Sequence, residues 1–278
     1  YSLLSTNDWN ISLFGNLSLN RNLVTNLEGT ETIDLTTQSV SSRAIEGYPL
    51  GVLYGTGSQT NPDGSFILDA NGFPQITSSP IILGDPNPDW RGVLGTKVNY
   101  KALTLNVLFE HSQGGDFAPR TLWVLRRFGT TQETANRITL TKDMVNYDGN
   151  VIPAGTTVRG NIGNFGGGDV LLDETWYRHG IGGGLGDNQA YNFSIFDATF
   201  SRIRELSLSY MLNSDEFRRR TKLSSVVISL TGRNLFMIDK IEGVDPEINQ
   251  MGDANGYGLD YFTNPSTRSF LFSISINY

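Results

Sequence analysis

From Phe270 to Tyr278 every second residue is large and apolar: Phe270, Phe272, Ile274, Ile276 and Tyr278 alternate with Leu271, Ser273, Ser275 and Asn277. Successive side chains of a strand point to opposite faces, so this run carries one apolar face and one mostly polar face. The strand stops on an aromatic residue. Alternation of this kind serves the half-buried strand of a sandwich and the lipid-facing strand of a membrane barrel equally well. The rest of the chain must decide between them.

The same period recurs upstream. Trp9, Ile11, Leu13, Leu17 and Leu19 alternate with Asn10, Ser12, Asn16, Ser18 and Asn20, a run long for a soluble strand and matched to the tilted crossing of a bilayer. Leu94, Thr96, Val98 and Tyr100 lead into the tight turn Lys101-Ala102, and Leu103, Leu105, Val107 and Phe109 lead back. Leu206, Leu208, Tyr210 and Leu212, then Val226, Ile228 and Leu230, repeat the pattern. Six strands are expected.

Their connections are unequal. Those after Tyr100 and Leu212 are short or moderate, whereas about 70 residues precede the second strand and about 90 follow Phe109. Outer-membrane barrels alternate short periplasmic turns with long outer loops in this way, and compact soluble domains do not. The expected fold is therefore all-β: about six final strands of a large antiparallel transmembrane β-barrel, with long extracellular loops. A sheet in lipid tolerates no open edge, and about eight strands make the smallest closed membrane barrel. The chain is expected to be one part of a longer barrel.

Composition narrows the function. No stretch approaches the roughly 20 apolar residues of a membrane-spanning helix. Tyr1-Ser2-Leu3-Leu4-Ser5 lacks the basic region and apolar core of a signal peptide. With no Cys and two His, thiolate sites and cysteine catalysis are excluded and metal chemistry has few ligands. A net charge of -7 argues against nucleic-acid binding, which needs a basic face.

Five segments resemble, in order, the C-terminal third of the SusC/RagA-like TonB-dependent transporters. They are Glu46-Gly-Tyr-Pro-Leu-Gly-Val-Leu-Tyr-Gly55, Gly84-Asp-Pro-Asn-Pro-Asp-Trp90, Phe200-Ser-Arg-Ile-Arg-Glu-Leu-Ser-Leu-Ser-Tyr210, Gly232-Arg-Asn-Leu-Phe236 and Gly243-Val-Asp-Pro-Glu247. The ending from Pro265 to Tyr278 extends the match, and its terminal aromatic resembles the signal by which outer-membrane barrels are assembled. Only residues of roughly 112–195 carry no recognisable family segment. The resemblance implies residues 1–278 as the C-terminal segment of a barrel of about 22 strands in the bacterial outer membrane, with the plug domain and TonB-contacting segment not recognisable in this chain. It implies import of oligosaccharides or peptides with a SusD-like surface lipoprotein, through contacts with the remaining barrel, the plug, TonB and outer-membrane lipid. Two other classes share parts of the pattern: a non-TonB structural or secretion barrel, and a soluble extracellular β-rich binding module.

Candidate chemistry is sparse. Asn61-Pro-Asp-Gly64 and Asp69-Ala-Asn-Gly72 read as turns, because Gln59 and Ala70 stand where a calcium loop needs acidic ligands. Glu110, His111 and Ser112 are adjacent on a strand and point to alternate faces, so they do not form a catalytic group. Gly166-Gly-Gly168 and Gly182-Gly-Gly184 lack the Lys-Ser or Lys-Thr of a phosphate loop. No enzyme activity, cofactor or metal is expected. Arg218-Arg-Arg220 reads as a solvated periplasmic connection. The long loop before Phe196 groups Trp123, Phe128, Trp176, Tyr177 and Tyr191 with Arg120, Arg126, Arg127, Arg178 and Asp173. Aromatic faces stack on sugar rings or peptide side chains, which makes Trp123, Phe128, Trp176, Tyr177 and Arg178 the candidate substrate-binding residues. The competing role for these aromatics is packing of the loop's own small core, or contact with the partner lipoprotein.

Overall fold

A computed structural model describes residues 1–180, 189–241, 243–250 and 256–278. Seven strands form one sheet: β1 (Ser2–Ser5), β2 (Trp9–Ser18), β3 (Trp90–Tyr100), β4 (Leu103–Gln113), β5 (Phe200–Leu212), β6 (Ser225–Asp239) and β7 (Ser269–Asn277). Their order in the sheet is their order in the chain, and every neighbouring pair is antiparallel. All six expected strands are present. A seventh strand joins them: β1 turns back on the start of β2 and pairs Ser5 with Asn10 and Ser2 with Ser12.

Register assembles the alternating residues into rows. Ile11, Val98, Leu105, Leu208, Leu230 and Phe272 are direct cross-strand neighbours in succession. So are Trp9, Tyr100, Leu103, Tyr210, Ile228 and Ile274. The opposite face carries Asn10, Asn99, Thr104, Ser209, Ser229 and Ser273. Among the described residues no second sheet covers the apolar rows: Leu208, Leu230 and Phe272 are 47%, 55% and 67% exposed. A sandwich buries such a face, whereas a membrane barrel turns it to lipid. Trp9 and Tyr100 stack at 4.4 Å at one end of the band and Trp90 stands at the other end of β3. Ten residue steps at about 3.4 Å, tilted by about 40°, span roughly 25 Å, the height of the apolar band between aromatic girdles.

At Arg204 the apolar phase slips, from Ile203 to Leu206. The pairing shows why: register shifts between Ile203 and Glu205 against both β4 and β6. The bulge adds a residue without reversing either face. At Gly95 the inner face is kept bare for a ring, since a Cβ there would lie 2.1 Å from Phe14 Cζ. Phe14 thus lies over the glycine of the neighbouring strand.

The two sides of the sheet are connected differently. At one, β3 and β4 join through Lys101-Ala102, and β5 and β6 through helix α2 (Asp215–Thr221), capped by Ser214, whose Oγ accepts from Phe217 N–H. Arg218, Arg219 and Arg220 lie on α2, exposed, as solvated charges. At the other side the long connections fold. The first holds a four-stranded sheet of Thr32–Asp34, Ser41–Ile45, Val52–Gly55 and Ile81–Gly84. Asp116–Pro119 from the second pairs with Phe196–Asp197 and, in parallel, with Leu259–Asp260 from the third. Val40, Leu53, Ala118, Trp123, Tyr191 and Leu259 make one buried cluster from all three connections. The apolar core therefore sits in this cap, not in the wall.

Candidate functional site

The cap is anchored to the wall by ions. Arg202 and Arg204, the second of them the extra residue of the bulge, project from β5 toward the third connection, from which Asp245 and Glu247 approach them. Arg202 Nη2 donates to Asp245 at 2.9 Å and its Nη1 lies 2.6 Å from Glu247. Arg204 Nε donates to Glu110 on β4 at 2.5 Å and its other end reaches Glu247. Burial alone raises the Asp245 carboxyl, but hydrogen bonds from Ser266, the Glu247 N–H and Arg202 outweigh it and hold it below the ordinary aspartate range. In the sequence Arg202, Arg204, Asp245 and Glu247 stand inside the family-like segments. Two cations and two acids, each pair at i and i+2, were the signal of a cross-element network.

Above this network α1 (Arg120–Arg127) carries the first of the expected site residues. Its apolar side turns into the cap. Trp123 is 1% exposed, stacks on Tyr191 at 5.1 Å and donates its Nε1–H to the Ser194 carbonyl at 2.9 Å. Trp176 is equally enclosed, ringed by Phe73, Tyr147, Phe165 and Phe193 with centroids between 5.2 and 5.7 Å. Both tryptophans are packed in the cap's own core. Phe128, which caps α1, is 72% exposed.

Phe128 and Tyr177 line one cleft of about 210 Å³ with Arg126, Arg127, Gly129, Thr134, Arg159 and Glu174. Tyr177 accepts a hydrogen bond from Asn161 Nδ2 at 3.0 Å, and burial pushes its hydroxyl pKa up, so the phenol stays neutral. Arg178 does not line this cleft; it pairs at 2.7 Å with Glu174, which does. The structure thus brings Phe128 and Tyr177 to one cleft, leaves Arg178 outside its lining, and buries Tyr177 in the same cluster as Trp176, with Trp123 also beneath the surface. Arg127 and Arg159, not singled out from the sequence, also line that cleft. Arg159 comes from a strand pair, Arg137–Thr139 with Thr157–Arg159, that only a contact between distant residues creates.

The two acidic turns of the first connection are turns: Gly64 N–H donates to the Asn61 carbonyl at 2.9 Å and Gly72 N–H to Asp69 at 3.2 Å. His111 hydrogen bonds Ser201 Oγ at 2.8 Å and stacks on Trp90, while Glu110 turns to Arg204. Adjacent residues there do face opposite ways. Gly182-Gly-Gly184 lies outside the described residues.

Comparison with known proteins places these features. No family model matches the chain. The TonB-dependent receptor P3 of Formosa agariphila is 27% identical over 225 residues, covering 79% of this chain and 19% of that protein. The RagAB peptide transporter superposes over the whole chain with a TM-score of 0.63 at 17% identity, covering 28% of the solved chain. The RagAB peptide importer in its 'open-open' state gives 0.59 at 16% identity, covering 27%. The chain spans about a fifth of the curated relative. At this identity the solved structures speak for the fold, a large outer-membrane β-barrel, and together with the relative they bear out the resemblance drawn from the ordered segments. Receptors and transporters of this kind are not enzymes.

Proposed function

We propose, on the premise that this chain is part of a SusC/RagA-like TonB-dependent outer-membrane transporter, that it supplies the final wall strands and an outer cap against which substrate is held during import. In this reading residues 1–278 are the C-terminal segment, and the plug domain and TonB-contacting segment belong to the rest of the protein. The observation that carries the proposal is the asymmetry of the sheet: short connections at one side, and at the other a cap with its own core, fixed to the wall through Arg202 and Arg204. A cap of this kind supports binding at a fixed position, as loops on a rigid scaffold commonly do.

The substrate class is oligosaccharides or peptides, and a SusD-like lipoprotein covers the cap from outside. Phe128, Tyr177 and Arg178 are the residues proposed to touch substrate, around the cleft. Trp123 and Trp176 serve from below, fixing α1 and the segment around Tyr177. Purification of the full-length protein from its outer membrane in mild detergent tests this. Co-purification with a surface lipoprotein, and TonB-dependent uptake of peptides or oligosaccharides by the parent cells, are expected. Recovery of residues 1–278 as a well-folded monomer, with no further barrel segment and no lipoprotein, would overturn it.

A further inference from the structure

We propose that the cleft between Phe128 and Tyr177 binds the carboxylate of an acidic substrate through Arg127 and Arg159. The proposal deepens the transporter reading and rests on it.

The charges around the cleft do not balance. Arg126 is matched by Glu133, to which its Nη2 donates at 3.3 Å, and Arg178 is matched by Glu174. Arg127 and Arg159 remain, and among the described residues no carboxylate pairs with either. Their surplus stands out in a chain of net charge -7. Arg127 serves in part as a cation at the C-terminal end of α1, where the helix dipole favours one. Arg159 has no such role. It is directly opposite Arg137 across the strand pair, an arrangement that like charges make unfavourable without an anion between or beside them.

Arg159 is also held in place. Its Nε donates to the Thr134 carbonyl at 2.5 Å and its Nη2 to the Gly129 carbonyl. These bonds use two of five N–H donors and fix the plane of the guanidinium, leaving Nη1 without an acceptor among the described residues. A planar fork with free donors, in a cleft that a second arginine also lines, suits a carboxylate, which accepts two parallel N–H bonds. Phe128, 72% exposed, adds an aromatic face for the body of the ligand, and Tyr177, buried in the cleft wall, stays neutral and does not repel an anion. The fitting ligand is a carboxylate-bearing chain, whether an acidic peptide or a uronic-acid oligosaccharide.

The test uses the full-length transporter with its lipoprotein, titrated with hexaglutamate and hexaglutamine, and with oligogalacturonate and its uncharged galactose counterpart. An acidic probe is expected to bind about tenfold or more tighter than its neutral counterpart, and to weaken with added salt. Arg127→Gln, whose side chain has no carboxylate partner to lose, is expected to remove about tenfold of that affinity, and Arg127→Lys to restore part of it. Which acidic probe binds distinguishes peptide from glycan, and either supports the subsite. Equal binding of acidic and neutral probes, or an unchanged preference in Arg127→Gln, would overturn it. Neutral-probe uptake without acidic preference sinks the subsite alone, and acidic preference without uptake of any probe sinks the transport reading alone.

Discussion

Arg202 on β5 and Asp245 in the third long connection meet at 2.9 Å with side chains only 2% and 5% exposed, joining the barrel wall to the cap. Removing one partner of such a pair leaves the other charge buried and unmatched, which costs more than the pair contributes. Asp245→Ala is expected to weaken local stability of residues 243–250 by about 2–4 kcal/mol, the remaining Glu247 contact limiting the loss. Hydrogen exchange on the full-length protein checks this. Faster exchange there, with unchanged wall strands, is the expected result.

Acid reaches the same contact through a different route. Because Asp245 has a folded-state pKa below the ordinary value of 3.8, its contribution is fully present above that value and is lost as pH falls through the folded one. Pepsin cleavage near residues 243–250 should therefore stay slow above about pH 4 and accelerate below it. In Asp245→Asn that acceleration should be reduced, with cleavage already faster at the higher pH.

Lipid and lumen faces should respond differently to charge. Leu230 lies in the apolar row with Leu208 and Phe272, so Leu230→Arg is expected to cost about 2–4 kcal/mol if it stands near the midplane, and less toward an interface. Ser229→Arg, on the opposite face, should cost much less. Folding of the full-length barrel into lipid vesicles, titrated with denaturant, measures both, and equal costs contradict the register.

Phe14 and Gly95 form a coupled pair on the inner face. Gly95→Ala pushes a methyl group against the Phe14 ring and is expected to cost about 1 kcal/mol. In the Phe14→Ala background that cost should largely vanish. A double-mutant cycle giving additive effects would show that the ring does not depend on the glycine.

What the sequence made legible was local in origin. Alternation is a property of adjacent residues, so β2 to β7 and their faces follow from it. β1 has only four residues, too few to show a period, and its pairing was invisible for that reason. The cap was illegible on different grounds: its contacts link residues far apart, such as Ser58 N–H to Asn192 Oδ1 and Gln38 Nε2 to Gln250 Oε1. An aromatic in a long loop looks the same in sequence whether it packs a core or faces a ligand. Trp123 and Trp176 pack the core, and Phe128 opens to solvent. Arg127 and Arg159 come to line one cleft only through the fold that pairs Arg137–Thr139 with Thr157–Arg159.

We propose that the sheet stands as a wall across the outer membrane, with the cap outside and α2 in the periplasm. This chain contains no Cys, so single introduced thiols report position without background from it. Pro62→Cys and Ala154→Cys, exposed in the cap, should react with a membrane-impermeant maleimide on intact cells, whereas Arg219→Cys on α2 should react only after the outer membrane is permeabilised. Labelling of Arg219→Cys on intact cells at the rate of the cap positions would contradict the account.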